Sequence, residues 1–219
     1  MTVAHEKVKL FPQELPTGTW LGPPLRTLHQ SAFEAACAEL MRQVETHFEP
    51  TLIVGIRSGG LIVAHSMAHA AQQGLDVLPV TSRRASTAAK ERVPFIGSIL
   101  KRLPRPAVDA LRRIEHRWMT AGRAHRSRQQ WVDMEEVNQV AQRLQGMLEP
   151  RRLLVVDDAV DSGVTFATVM QRLKAVCPPG TEFRSAAITQ TMPRPLLVPD
   201  YVLYNGALCR FPWSFDASQ

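Results

Sequence analysis

Residues 153–165, LLVVDDAVDSGVT, constrain the fold of this chain more than any other segment. The apolar run at 153–156 is long enough for a buried strand and far too short to span a membrane. Asp157 and Asp158 fall where that strand should end, and Asp161, Ser162, Gly163, Val164 and Thr165 then lead through a polar turn into a helix. A turn of this kind at the carboxyl end of a strand offers backbone N–H groups and hydroxyls to a phosphate. Gly163 lets the backbone approach closely. The acid pair beside it suits a sugar diol, a divalent metal, or both. The Gly-x4-Gly-Lys-Ser/Thr loop of nucleotide triphosphatases is absent, because no Lys precedes Thr165.

The flanking sequence alternates helix and strand. Residues 1–27, with Pro12, Pro16, Pro23 and Pro24, read as an irregular N-terminal arm. Ser31 and Glu34 fit a capping box, and Phe33, Ala36, Cys37, Leu40, Met41 and Val44 repeat at helical spacing. After Pro50, residues 51–56 read as a buried strand, 57–60 as a loop, 61–73 as a helix and 75–80 as a strand. Asp133 and Glu136 fit a second capping box before a stripe of Val137, Val140, Ala141, Leu144 and Leu148. A helix at 166–176 and strands at 183–188 and 201–204 complete the pattern. This order predicts an α/β fold with a mostly parallel sheet covered by helices.

Residues 81–131 interrupt the rhythm. Residues 81–89 read as a mobile loop, and 107–119 as a helix striped by Val108, Leu111, Ile114 and Trp118. So long an interruption points to a lid or an inserted subdomain over 90–131 within one domain spanning 1–219. It also concentrates charge. Lys101, Arg102, Arg105, Arg112, Arg113, Arg117, Arg123, Arg126 and Arg128 face only Asp109 and Glu115, more net charge than the +6 of the whole chain. Such a field attracts phosphorylated ligands, an acidic partner or nucleic acid, although no nucleic-acid-binding motif is present. A structural cap or dimer contact is the expected role. Cys37, Cys177 and Cys209 are too widely spaced for a metal cluster or disulfide framework, and the N-terminus lacks a secretory core. A cytoplasmic protein without a membrane partner is expected.

The segment at 153–165 resembles the 5-phosphoribosyl 1-pyrophosphate (PRPP) motif of type I phosphoribosyltransferases. The resemblance implies that Asp157 and Asp158 meet the ribose hydroxyls and Mg²⁺. It implies that Asp161, Ser162, Gly163, Val164 and Thr165 cradle the 5′-phosphate. In 6-oxopurine members the acid opening this loop lies near the purine N7 as general base or acid, which points to Asp161. TLIVGIRSGGLIVA resembles the family's pyrophosphate loop and carries Arg57, Ser58, Gly59 and Gly60. Xanthine–guanine-type enzymes usually read Ser-Arg-Gly-Gly there, so the Arg stands one place earlier in this chain. Family members use a flexible loop at the place of residues 82–90, which makes Arg83, Arg84 and Lys90 candidates for further pyrophosphate contact, the alternative being a plain solvated surface. PDYVLYNGALCRFPWSFD resembles the Pro-Asp-Tyr segment and closing Pro-Trp of the xanthine–guanine members, a hood over the base formed by residues 190–219.

The base half departs from the pattern. The Lys that meets the purine O6 in many members matches Gln190 or Thr191, and the stacking aromatic matches Leu208. The resemblance therefore implies a Mg²⁺-dependent transfer of phosphoribosyl from PRPP to a purine-like base, with pyrophosphate released. The alternatives are a non-standard heterocyclic acceptor or a catalytically silent PRPP-binding regulator. A homodimer is expected, since symmetric dimers are common and frequent in the family.

Overall fold

The computed structural model describes residues 23–84, 130–148 and 150–214. A five-stranded, wholly parallel sheet organises them. In spatial order its strands are β3 (Asp76–Val80), β2 (Leu52–Ile56), β6 (Arg152–Val160), β7 (Glu182–Gln190) and β8 (Tyr201–Asn205). Four helices accompany them among the described residues: α1 (Gln30–Glu45), α2 (Gly59–Ala70), α3 (Met134–Gln145) and α4 (Val164–Val176). Two ribbons lie outside the sheet. One pairs β1 (Leu25–Thr27) parallel to β9 (Leu208–Arg210), and the other pairs β4 (Ser82–Arg84) antiparallel to β5 (Gln130–Val132).

The unbroken apolar runs at 52–56 and 153–156 follow from burial on both faces of the sheet. On one face, Phe33, Leu40 and Met41 of α1 and Val63 and Met67 of α2 pack on Ile53, Leu154, Val156 and Ile188. On the other, Val137, Val140 and Leu144 of α3 and Phe166, Val169 and Leu173 of α4 pack on Leu52, Val54, Leu153, Val155 and Ala187. Neighbouring strand residues thus feed opposite cores, as the period of two requires. The result is the expected type I phosphoribosyltransferase-like arrangement, a parallel sheet between two helical layers.

From β2 the chain winds outward to β3, then returns to place β6 on the other side of β2. The winding reverses between β2 and β6, so the connections leaving their carboxyl ends diverge and open a crevice. Gly55 lets α2 lie flat on β2. A Cβ there would stand 2.6 Å from Leu61 Cα and 3.0 Å from Ala64 Cβ.

Several boundaries differ from expectation. The N-cap of α1 is His29, and Ser31 already lies inside the helix, so the Ser31–Glu34 box does not form. Glu34 instead accepts from Gln30 Nε2 at 2.6 Å. Asp133 does cap α3, accepting from the N–H groups of Glu135 and Glu136 at 3.0 and 3.4 Å. The Glu136 carboxylate does not return to that cap, because the chain has a tertiary use for it, described below. Leu148 lies past the end of α3 and is 92% exposed, so the apolar stripe stops at Leu144. Strand β6 runs four residues beyond Val156, because pairing with β7 continues after pairing with β2 ends. Residues 82–84 of the expected mobile loop form β4. Lys90, the helix at 107–119 and the basic stretch at 101–128 lie outside the described residues. No helix among the described residues is long and apolar enough to cross a membrane.

The close approach of α2 to β2 is testable by a single methyl group. Gly55→Ala should lower unfolding stability by about 1–3 kcal/mol in guanidinium denaturation, since the obstacle is helix backbone. Gly74→Ala, whose Cβ would meet nothing within 4 Å, should stay within about 0.5 kcal/mol of the parent.

Candidate active site

The last pair between β2 and β6 is Gly55 with Val156. Beyond it, β2 turns into α2 while β6 continues along β7, so Asp157 and Asp158 face the start of α2. A cavity of about 400 Å³ opens there. Arg57, Ser58 and Gly59 line one side, Asp157, Asp158, Asp161, Ser162, Gly163 and Thr165 another, and Ser82, Arg83, Phe166 and Trp213 the rest.

The carboxyls are packed against glycine. A Cβ on Gly59 would overlap the Asp158 carboxyl, and one on Gly60 would stand 2.7 Å from Asp157 Cα and 2.8 Å from its Oδ1. Gly60 thus lies beneath the acid pair rather than on the cavity wall. Strand alternation also breaks here. Val155 and Val160 pack in the α3/α4 layer, while Val156 and Ala159 pack in the α1/α2 layer. Each carboxylate accepts from the next backbone N–H, Asp157 from Asp158 and Asp158 from Ala159, both at 3.0 Å. Burial pushes the Asp157 carboxyl well above the ordinary carboxylate range, and the neighbouring Asp158 charge pushes it further. Burial also raises Asp158, against hydrogen bonds that favour its ionised form.

The turn after β6 is braced from behind. Gly163 adopts φ 72°, and a Cβ there would stand 2.6 Å from Leu197 N and 2.7 Å from Leu197 O. Leu196 N donates to Ser162 O at 2.7 Å. Gly163 is the N-cap of α4 and carries no side-chain oxygen, so the dipolar end of the helix opens on the cavity. Thr165 Oγ1 accepts from Gln130 Nε2 at 3.0 Å. Asp161 Oδ1 accepts from Thr191 Oγ1 at 2.6 Å.

The opposite wall is tied by Glu136. Its Oε1 meets Arg57 Nη2 at 3.1 Å, and its Oε2 accepts from Thr81 N at 2.5 Å. One carboxylate from α3 thereby holds the loops after β2 and β3. The Arg57–Ser58 peptide bond is cis. Arg83 lines the cavity from β4, opposite Trp131 in the ribbon. Arg84 ends β4.

Three expected base contacts do not reach the cavity wall. Gln190 is buried, with Nε2 donating to Met192 O at 2.9 Å. Thr191 is buried behind Asp161. Leu208 pairs with Leu25 in the β1/β9 ribbon, because the chain enters β9 there instead of looping over the cavity. Val164, inside the first turn of α4, is likewise off the wall. Trp213 lines the cavity, which Leu208 does not. One of its faces stacks on Phe211 (4.9 Å between centroids, 2° between planes), and Phe33 meets it edge-on at 5.1 Å. The closing Pro-Trp is visible in the sequence, but its distance from the crevice is not. Gln130 and Leu197 carry no local signal, and Glu136 signals only a helix cap.

Among the described residues no group of three His, Cys, Asp or Glu side chains can hold a metal. Asp157 and Asp158 are oxygen donors of the kind Mg²⁺ takes, and two carboxylates would hold such an ion with substrate completing the site. Burial pushes Cys37 up to about 12 and Cys177 and Cys209 up to about 11, so each stays a neutral thiol at physiological pH.

Comparison with known proteins agrees with this fold. The family model described as phosphoribosyl transferase domain matches residues 26–217. The fold is similar to a purine phosphoribosyltransferase from Pyrococcus horikoshii (TM-score 0.55, 18% identity, 87% of this chain and 94% of that one). It is similar to the xanthine-guanine-hypoxanthine phosphoribosyltransferase of Helicobacter pylori (0.53, 17%, 89% and 96%). It also resembles a hypothetical protein from Neisseria gonorrhoeae solved with bound ppGpp (0.55, 12%, 90% and 93%). No curated protein matches the chain by sequence.

The buried acid pair has a consequence for stability. Asp157 has a folded pKa above its ordinary 3.8, so ionising it costs more in the folded protein than in the unfolded chain. That cost is fully present above the folded pKa and disappears below about 3.8. Asp157→Asn should therefore raise Tm at pH 8, and the gain should shrink as the pH falls toward 4. A series of thermal melts checks this, and a gain independent of pH would remove the electrostatic explanation.

Proposed function

Because the chain belongs to the phosphoribosyl transferase domain family, a family of phosphoribosyltransferases, we propose that it transfers the 5-phosphoribosyl group of PRPP to a ring nitrogen of a purine base. Pyrophosphate leaves, and the reaction depends on Mg²⁺. The observation that carries this reading is the convergence on one cavity of an acid pair, a helix N-terminus with hydroxyls, a third acid and an Arg-bearing loop.

In this reading the Ser162–Gly163–Thr165 turn and the start of α4 hold the 5′-phosphate with N–H groups and hydroxyls. Asp157 and Asp158 hold the ribose hydroxyls and Mg²⁺. When bound, Mg²⁺ supplies positive charge that neutralises the pyrophosphate. Arg57, Ser58 and Gly59 face the leaving group, with Arg83 on the adjoining wall. As the bond from ribose C1 to the pyrophosphate oxygen breaks, its electron pair leaves with pyrophosphate and C1 gains oxocarbenium character. The base nitrogen then bonds to C1, and its proton passes to Asp161. Thr191 acts behind Asp161, donating to the oxygen that must stay oriented. Trp213 offers the base the face turned away from Phe211, in place of the aromatic missing at Leu208. The absence of a hood Lys at Gln190 and Thr191 also favours a second acceptor class, a heterocycle without a purine O6.

The direct test is Mg²⁺-dependent pyrophosphate release from PRPP with guanine, xanthine, hypoxanthine, adenine and a panel of other nitrogen heterocycles. Release with a purine supports the proposal. Release only with another heterocycle changes the acceptor, and PRPP binding without any release replaces the enzyme with a regulator. Asp161→Asn should retain PRPP binding within about threefold while kcat falls at least 100-fold, the scale of lost proton transfer. Trp213→Ala should raise KM for the base about tenfold and leave KM for PRPP near its original value.

A further inference from the structure

Gln130 belongs to none of the sequence motifs and does not line the cavity, yet both ends of its side-chain amide are committed to residues that do. Ser82 Oγ donates to Gln130 Oε1 at 3.1 Å, and Gln130 Nε2 donates to Thr165 Oγ1 at 3.0 Å. Strand pairing with Arg84 fixes the backbone from which the side chain reaches. Resting on the phosphoribosyl-transfer reading, we infer that Gln130 is a positioning residue for the 5′-phosphate: it fixes the Thr165 hydroxyl as a donor toward that phosphate.

The argument is one of hydrogen-bond polarity. A hydroxyl has one proton to donate and lone pairs to accept with. A threonine in a helix readily spends its proton on the carbonyl four residues earlier. Thr168, one turn along the same helix, does so, donating to Val164 O at 2.8 Å. Thr165 instead receives an N–H from Gln130, which satisfies its oxygen and leaves its proton for an acceptor. A phosphate oxygen is a pure acceptor, so this is the polarity the site needs. Donation into the hydroxyl oxygen also polarises the O–H bond and strengthens its own donation. Ser82 completes the set by donating to Oε1, which turns Nε2 toward Thr165. The three side chains thus form a directed series from Ser82 through Gln130 to Thr165. They join β4, which carries Arg83, to the turn that holds the 5′-phosphate.

The experiment is a double-mutant cycle read by calorimetry on the full chain, with ribose 5-phosphate and pyrophosphate as separate probes. Gln130→Leu should weaken ribose 5-phosphate binding about tenfold, the scale of one hydrogen bond to a charged group. Pyrophosphate affinity should stay within twofold, and KM for PRPP should rise with kcat little changed. In a Thr165→Val background, Gln130→Leu should add less than about twofold, because the hydroxyl it orients is gone. Gln130→Glu offers two acceptor oxygens to Ser82 and Thr165, which satisfies a purely structural role but takes the Thr165 proton. It should weaken ribose 5-phosphate at least as much as Leu does, and it keeps the test alive if the Leu variant does not fold. Additive effects in the cycle, equal weakening of pyrophosphate, or wild-type affinity in the Glu variant would each overturn the assignment. A parent protein that binds neither PRPP nor ribose 5-phosphate would instead overturn the transfer reading and this inference with it.

Discussion

The start of α2 approaches β6 so closely that only glycine fits at positions 59 and 60, and that contact sets the place of every other group around the cavity. It exists because β2 stops pairing with β6 at Gly55 while β6 continues for four residues past Val156. The extra length of β6 carries two carboxyls under the first turn of a helix. Burial there works against their charge, and the positive end of the helix dipole works for it. A fold selected for stability alone would fill this position with an apolar pair. Two acids held where burial opposes their ionisation mark this end of the sheet as the candidate site.

Around this contact the walls are held by polar links between distant parts of the chain. Glu136 on α3 ties Arg57 to the backbone at Thr81. Thr191 at the end of β7 ties Asp161. Gln130 ties Thr165 to Ser82, and residues 195–197 close against Gly163. These links join parts of the chain that are far apart in sequence, so the residues that carry the candidate chemistry are held relative to one another. Asp200 plays a similar part away from the cavity, accepting from both the backbone N–H and the hydroxyl of Ser185, which pins the register of β8 on β7.

Where the chemistry is encoded within a few consecutive residues, it is legible in the sequence. The acid pair, the Ser-Gly-x-Thr turn and the Arg-Ser-Gly-Gly loop are local arrangements between a strand and a helix. The winding order places them at the same end of the sheet. Legibility fails where partners decide. Polar residues at 157 and 158 read as a strand end, but β7 supplies the pairing that keeps the strand going. Glu136 has the spacing of a capping residue, yet an arginine on another loop competes for its carboxylate more effectively than a cap N–H. The position matching the family's stacking aromatic holds Leu208, which is absorbed by pairing with β1. Trp213, five residues later, returns to the crevice because Phe33 and Phe211 hold it there.

Local pattern along the chain is enough to specify the layered α/β architecture, since apolar periodicity dictates which faces are buried regardless of what covers them. It is also enough for the phosphate-type turn, whose donors lie within one short segment and need no distant partner. Packing alone settles which side chains orient those donors, which aromatic reaches the cavity and why the acid pair resists ionisation. Those properties depend on distances between residues far apart in the chain. No pattern of spacing along a sequence encodes such a distance until packing has set it.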